Sequence, residues 1–174
     1  MRIVVLHGQS HKGSTYHLAK LFCDKLGGEV TEFFLPRDFG AFCVGCSQCF
    51  SKSEQLCPHA DQLRPITEAL DAADVIVLAS PVYFYSIDAQ LKAVIDRTVA
   101  RWLEVRDKEF YYIVTMADEA NASADTTLAC FRGYADCVEG AVEKGVIIGS
   151  GVYEPDKVKQ TPAMERAYQT GKAV

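Results

Sequence analysis

Short apolar runs alternate along the chain with stretches whose apolar residues recur every three or four positions. Arg2–Leu6 reads as a buried β-strand. Ser14–Leu26 follows, with Leu18, Leu21, Phe22 and Leu26 on one helical face, and Gly27-Gly28 stops that helix. Glu29–Leu35 is a second strand, closed by Pro36. From Pro36 to Ala60 there is no clear period, and a long irregular segment inside a compact domain is usually functional. Asp61 is placed to cap a helix that carries Leu63, Ile66 and Leu70 on one face. Asp74–Ala79 is continuously apolar after its first residue, which suits a central parallel strand covered on both faces, and Ser80-Pro81 ends it. Helical spacing returns with Ile87, Leu91, Val94, Ile95, Thr98 and Trp102. Phe110–Met116 predicts a fourth strand, and Leu128, Phe131, Ala135, Val138 and Val142 predict a long amphipathic stripe. Gly145–Ile148 holds a fifth strand, and Pro162 can start a last helix that runs toward Lys172.

Strands that alternate with helices in this way imply an α/β protein with a mostly parallel sheet and helices on both sides. Five such strands fit a doubly wound, flavodoxin-like three-layer sandwich with strand order 2-1-3-4-5. No internal repeat, low-complexity tract or linker breaks the pattern, so residues 1–174 are expected to form one domain. In such a sheet ligands bind beyond the carboxyl ends of the strands, at the switch point between the first and third. Diagnostic residues should therefore follow Leu6, Ala79 and Met116.

Composition narrows the class. A chain of 174 residues, 49% hydrophobic and 24% charged, can bury a substantial core. The net charge of -5, with no long run of Lys or Arg, lacks the basic footprint of a nucleic-acid binder. No apolar stretch reaches the length of a membrane span, and the opening run is too short for a signal-peptide core. The expected compartment is the cytoplasm. Seven cysteines are many for such a chain, and Cys43, Cys46, Cys49 and Cys57 are clustered. In a reducing compartment a tight cluster points to metal or redox chemistry before disulfides. Cys23, Cys130 and Cys137 are scattered in helical stretches and are expected to be buried as small hydrophobes.

The segments after the strands carry the candidate chemistry. His7 to Thr15 leads from the first strand into a helix, where free backbone N–H groups and the helix dipole favour an anion. Ser10, Ser14 and Thr15 can add hydroxyl donors and Lys12 a charge, around Gly13; Ser14 or Thr15 can equally serve as a plain helix cap. After the third strand, Pro81, Val82, Tyr83, Phe84, Tyr85 and Ser86 offer an aromatic-rich turn with N–H donors, the surface that a flat, polar-edged ring requires. The fourth strand presents Thr115 and Met116 at the same edge. The cysteine segment reads C-x2-C-x2-C-x7-C, closer to the compact run of ferredoxins than to paired zinc knuckles. A cluster, zinc, a redox-active disulfide and reduced thiols in a structural loop all remain open on spacing.

Ser10, Gly13, Ser14 and Thr15 match the pattern G-x-S-x-x-G-[SN]-T, and the loop resembles the FMN phosphate loop of the NADPH-dependent FMN reductase-like family. Ser80 to Phe84 resembles that family's S-P-V-Y-F motif, and Leu91 to Arg97 the L-K-x-[FV]-[IL]-D-R helix after it. The tail from Gly149 to Lys172 resembles the family's C-terminal ending, so the resemblance covers nearly the whole chain. It implies an oxidoreductase in which FMN takes hydride from NAD(P)H and passes electrons to an acceptor that the sequence leaves unidentified; the alternative is a non-catalytic FMN-binding electron carrier or redox sensor. Residues 10–15 would hold the phosphate and residues 81–86 line the isoalloxazine. No side chain is nominated as a catalytic acid or base. Asp96 and Arg97 would be a structural pair. Relatives often have Gly where the fourth strand ends, so Thr115 and Met116 are candidates here by position. The resemblance also implies a homodimer or homotetramer with FMN near the subunit interface. The cysteine segment resembles the iron–sulfur flavoprotein branch, which implies a [4Fe–4S] cluster on Cys43, Cys46, Cys49 and Cys57.

Overall fold

Alternate residues of a strand point to opposite faces, and in the central strands both faces are apolar. Val4 and Leu6 of β1 (Arg2–His7) join Ile76 and Leu78 of β3 (Val75–Pro81) and Tyr112 and Val114 of β4 (Glu109–Thr115) in one core layer. Ile3, Val5, Val75, Val77, Tyr111 and Ile113 join the other. The first layer is covered by α3 (Leu63–Ala72), α4 (Ala89–Arg97) and α5 (Asp125–Ala135), the second by α1 (Ser14–Leu26) and α6 (Pro162–Lys172). The computed structural model describes residues 1–38, 41–50, 57–59 and 62–173. Its five strands are all parallel, in the order β2-β1-β3-β4-β5, with β2 at Glu29–Phe34 and β5 at Val142–Gly149. The expected doubly wound sheet is therefore observed. Among the described residues no helix is long and apolar enough to cross a membrane.

Several boundaries differ from the sequence expectation. β2 stops at Phe34, and Leu35 opens a single helical turn, α2 (Leu35–Asp38). Pro36 fits there because a first-turn N–H has no helical partner to lose. The stripe expected to run through Val142 breaks earlier. α5 ends at Ala135, Gly140 turns the chain at φ 73°, and Val142 pairs with Glu109 as the first residue of β5. Cys137 is consequently exposed and Cys130 half-buried, a correction to the expected burial of both; Cys23 is buried as expected. Seven-residue spacing keeps two side chains on one face only while the helix continues. Asp61, expected to cap α3, lies outside the described residues. Asp88 caps α4 instead of any residue singled out in advance, its carboxylate accepting from the Leu91 N–H at 2.9 Å.

Candidate functional site

The carboxyl ends of β1, β3, β4 and β5 open into a cleft of about 290 Å³. Its floor is the β1–α1 loop, through Gln9, His11, Gly13, Ser14 and Thr15. Pro81, Val82 and Tyr83 follow β3, and Thr115, Met116 and Ala117 close β4. Val152 to Pro155, from the β5–α6 loop, form the remaining wall. The loops are tied together by main-chain bonds: Gly8 N–H to Ala79 O at 2.9 Å, Val82 N–H to Thr115 O at 2.8 Å and Val152 N–H to Met116 O at 2.9 Å. Thr15 and Thr115 hydroxyls meet at 2.6 Å beneath the cleft.

The start of α1 is electropositive and open. Gly13 is the N-cap residue, no side chain caps the helix, and its first turn has no acidic residue. The N–H groups of that turn and the positive end of the helix dipole are thus available to an anion. Ser14 is not free to join them, because its hydroxyl donates to the carbonyls of Glu154 and Pro155 at 3.1 and 2.9 Å. It tethers the β5–α6 loop to the helix start. Lys12 is turned away, its Nζ 5.1 Å from the Tyr16 ring centre and 5.6 Å from that of Phe34. Beneath the loop, buried His7 stacks on Phe34 and contacts Glu32 Oε1 at 2.9 Å and the Gln9 amide at 2.7 Å. Burial holds the His7 imidazole below its ordinary pKa, against the pull of Glu32.

The aromatic turn is a small closed loop. Tyr83 and Ser86 exchange two main-chain hydrogen bonds of 3.0 Å, with Phe84 and Tyr85 between them at φ 49° and 61°. This left-handed pair is the geometry that Asn-Gly ordinarily supplies, so two bulky aromatics there store backbone strain. At the neck, Ser80 Oγ sits 2.8 Å from Asp88 Oδ2 and accepts from the Asp88 N–H at 3.0 Å. Burial raises the Asp88 carboxyl pKa, while the Leu91 N–H and the Ser80 hydroxyl counter it. The tip projects outward, with Phe84 fully exposed.

The two ends of the cysteine segment meet the base of α4. Arg97, 2% exposed, donates to the Ala41 carbonyl at 3.2 Å, to Cys57 Sγ at 3.5 Å and to the His59 carbonyl. Asp96 instead pairs with Lys92 on the surface, so the two neighbours do not act as a pair. His59 Nε2 lies 3.6 Å from Cys46 Sγ. Among the described residues no three His, Cys, Asp or Glu side chains come together as a metal-binding group.

Of the residues read from sequence, Gly13, Ser14, Thr15, Pro81, Val82, Tyr83, Thr115 and Met116 share the cleft. Ser10 and Lys12 lie outside its lining, as do Phe84, Tyr85 and Ser86 beyond the turn's neck. Ser86 Oγ faces Cys130 Sγ at 4.0 Å instead. Gln9, His11 and the Val152–Pro155 wall were not singled out beforehand. Gln9 and His11 sit within the loop that position had already marked; the β5–α6 wall carries no local signal.

An open parallel sheet in the order 2-1-3-4-5, with a helix N-terminus and an aromatic turn at its switch point, defines a flavodoxin-like protein. Solved structures agree on the fold. The chain superposes with a TM-score of 0.75 on an NAD(P)H:quinone oxidoreductase from Methanothermobacter marburgensis, at 16% identity over 99% of this chain and 94% of that one. An FMN-dependent NADH-azoreductase from Bacillus anthracis, solved in complex with FMN, gives 0.75 at 13% identity over 99% and 98%. The family model for NADPH-dependent FMN reductase matches residues 1–136, and the chain belongs to that family. Curated relatives include an iron–sulfur flavoprotein of Methanosarcina thermophila, 31% identical over 57% of this chain and 53% of its own. One from Methanocaldococcus jannaschii is 45% identical over 32% of this chain and 28% of its own. The chain thus spans less than two thirds of the length of these relatives.

Proposed function

We propose that this protein is an FMN-dependent NAD(P)H oxidoreductase that passes electrons through the flavin to an acceptor. The observation that carries the reading is the two-part chemistry of one cleft. Its α1 end offers uncapped N–H groups to a phosphate, and Pro81, Val82, Tyr83, Met116 and Val152 offer an apolar wall to a flat ring. Gln9 adds a buried Oε1 with no hydrogen-bond partner among the described residues, an acceptor for a hydroxyl-bearing ligand. The donor set therefore fits FMN. When bound, that group would supply the hydride and single-electron chemistry. The first turn of α1 would bind its phosphate, and the loops after β3, β4 and β5 would orient the ring and shield it from water.

The cysteine segment supports a second element of the reading. Four thiols within residues 43–57 are the soft donor set of a [4Fe–4S] cluster, in number and chemistry, although the described residues do not gather them. Cys43, Cys46, Cys49 and Cys57 would hold it, and it would supply one-electron transfer. We also propose one domain acting in the cytoplasm as a homodimer or homotetramer; the exposed tip at Phe84 and Tyr85 is an apolar surface a second copy would cover.

The test is an absorption spectrum with flavin, iron and sulfide analysis on anaerobically purified protein, followed by steady-state oxidation of NADH and NADPH with a quinone acceptor. Bound FMN with turnover is the expected result. Bound FMN without turnover would make the protein an electron carrier instead. Lack of flavin binding, even on titration with FMN, would overturn the reading. Iron and sulfide in equal amounts would place the chain with the iron–sulfur flavoproteins; flavin without iron would remove the cluster.

A further inference from the structure

The cleft offers an anion very little formal positive charge. Lys12, the only Lys or Arg in the β1–α1 loop, points onto Tyr16 and Phe34. The cleft's remaining wall contributes the acidic Glu154. One lining side chain can become cationic: His11. Its ring lies against the N-cap residue of α1, where a Cβ added to Gly13 would meet the imidazole Cε1 and Nδ1 at 2.6 Å. An exposed imidazole thus lies against the N-cap residue of the helix.

We propose that His11 is the cationic phosphate ligand of this cleft, and that its protonation sets how tightly the protein holds FMN. The inference rests on the flavin reading above and adds the residue and the condition. A protonated imidazole makes a charge-assisted hydrogen bond to a phosphate oxygen and offsets Glu154. A neutral imidazole loses the charge and leaves the phosphate facing Glu154 across an open helix end. The other titratable groups around it are Tyr83 and Tyr153 in the lining and Lys12 on its own loop. Behind Pro155, His17 and Asp156 pair at 2.8 Å. His17 is engaged with Asp156. His11 is the one basic side chain in the lining.

The phosphate itself takes a second negative charge near about pH 6, so the ratio of two proteins is the informative quantity. FMN dissociation constants are measured by flavin fluorescence quenching from about pH 5.5 to about pH 8.5 for the wild type, His11→Gln and His11→Arg, with riboflavin as the phosphate-free control. His11 is exposed, so both variants should fold, which a melting curve checks. Expected is a His11→Gln constant about tenfold above wild type at the acid end, converging on it at the alkaline end. His11→Arg should bind tightly throughout, and riboflavin should not distinguish the three. A ratio that stays constant with pH, or an equal loss for riboflavin, would overturn the proposal while leaving the flavin reading in place. Failure of the wild type to bind either flavin at any pH would overturn both.

Discussion

A single methyl group at Gly8 probes the joint between the two ligand-facing loops. A Cβ built there would lie 2.5 Å from Asp88 Oδ1 and closer still to Oδ2, so the carboxylate must leave its place. Asp88 is 1% exposed, caps α4 through the Leu91 N–H and holds the Ser80 hydroxyl at the neck of the aromatic turn. Losing the cap costs about 1 kcal/mol. Losing a buried hydrogen bond to a charged group adds about 2 kcal/mol. Gly8→Ala should therefore lower stability by about 3 kcal/mol, a large part of the roughly 5–15 kcal/mol of a typical domain. Urea unfolding followed by far-UV circular dichroism measures it as a fall in midpoint at unchanged slope. Because the cost runs through Asp88, Gly8→Ala in an Asp88→Ala background should cost under about 1 kcal/mol. FMN affinity should fall with the single substitution, since the turn loses its closure. A Gly8→Ala protein as stable as wild type, or one that loses as much in the Asp88→Ala background, would refute the argument.

Two further predictions follow from buried groups. His7 has a folded-state pKa held below its unfolded value near about 6.5, so the unfolded chain takes up the proton first. Stability is then retained above that value and lost as pH falls below it, by at most about 1.4 kcal/mol per pH unit. Urea midpoints at neutral and mildly acidic pH should show this slope in the wild type and a reduced one in His7→Gln; equal slopes would exclude His7 as its source. Arg97→Lys keeps the charge but loses the fork that serves carbonyls at both ends of the cysteine segment. Reaction of Cys57 with a thiol reagent should speed several-fold, and an unchanged rate would mean that Arg97 does not anchor the segment.

The sequence by itself determined the layers and the place of the site. Continuous apolar runs such as Val75–Ala79 read as central strands because a strand covered on both faces has no polar side to display. Their alternation with helical stripes led to the observed strand order, and that order puts ligands after β1, β3 and β4. Gly13, Thr15, Pro81 to Tyr83, Thr115 and Met116 were accordingly legible as cleft residues. What the pattern could not carry was direction and long-range closure. Lys12 and His11 are adjacent in sequence, and only packing sends the first onto Phe34 and lays the second over Gly13. Ser14 looked like a free donor, yet it is engaged by carbonyls 140 and 141 residues away. Arg97 and Asp96 looked like a pair, and one turned inward to hold the cysteine segment while the other stayed on the surface. Periodicity records which side of an element meets the core, because burial repeats with the backbone. Contacts between loops arise once the sheet has brought distant chain segments to one edge, and no local rule of spacing encodes them.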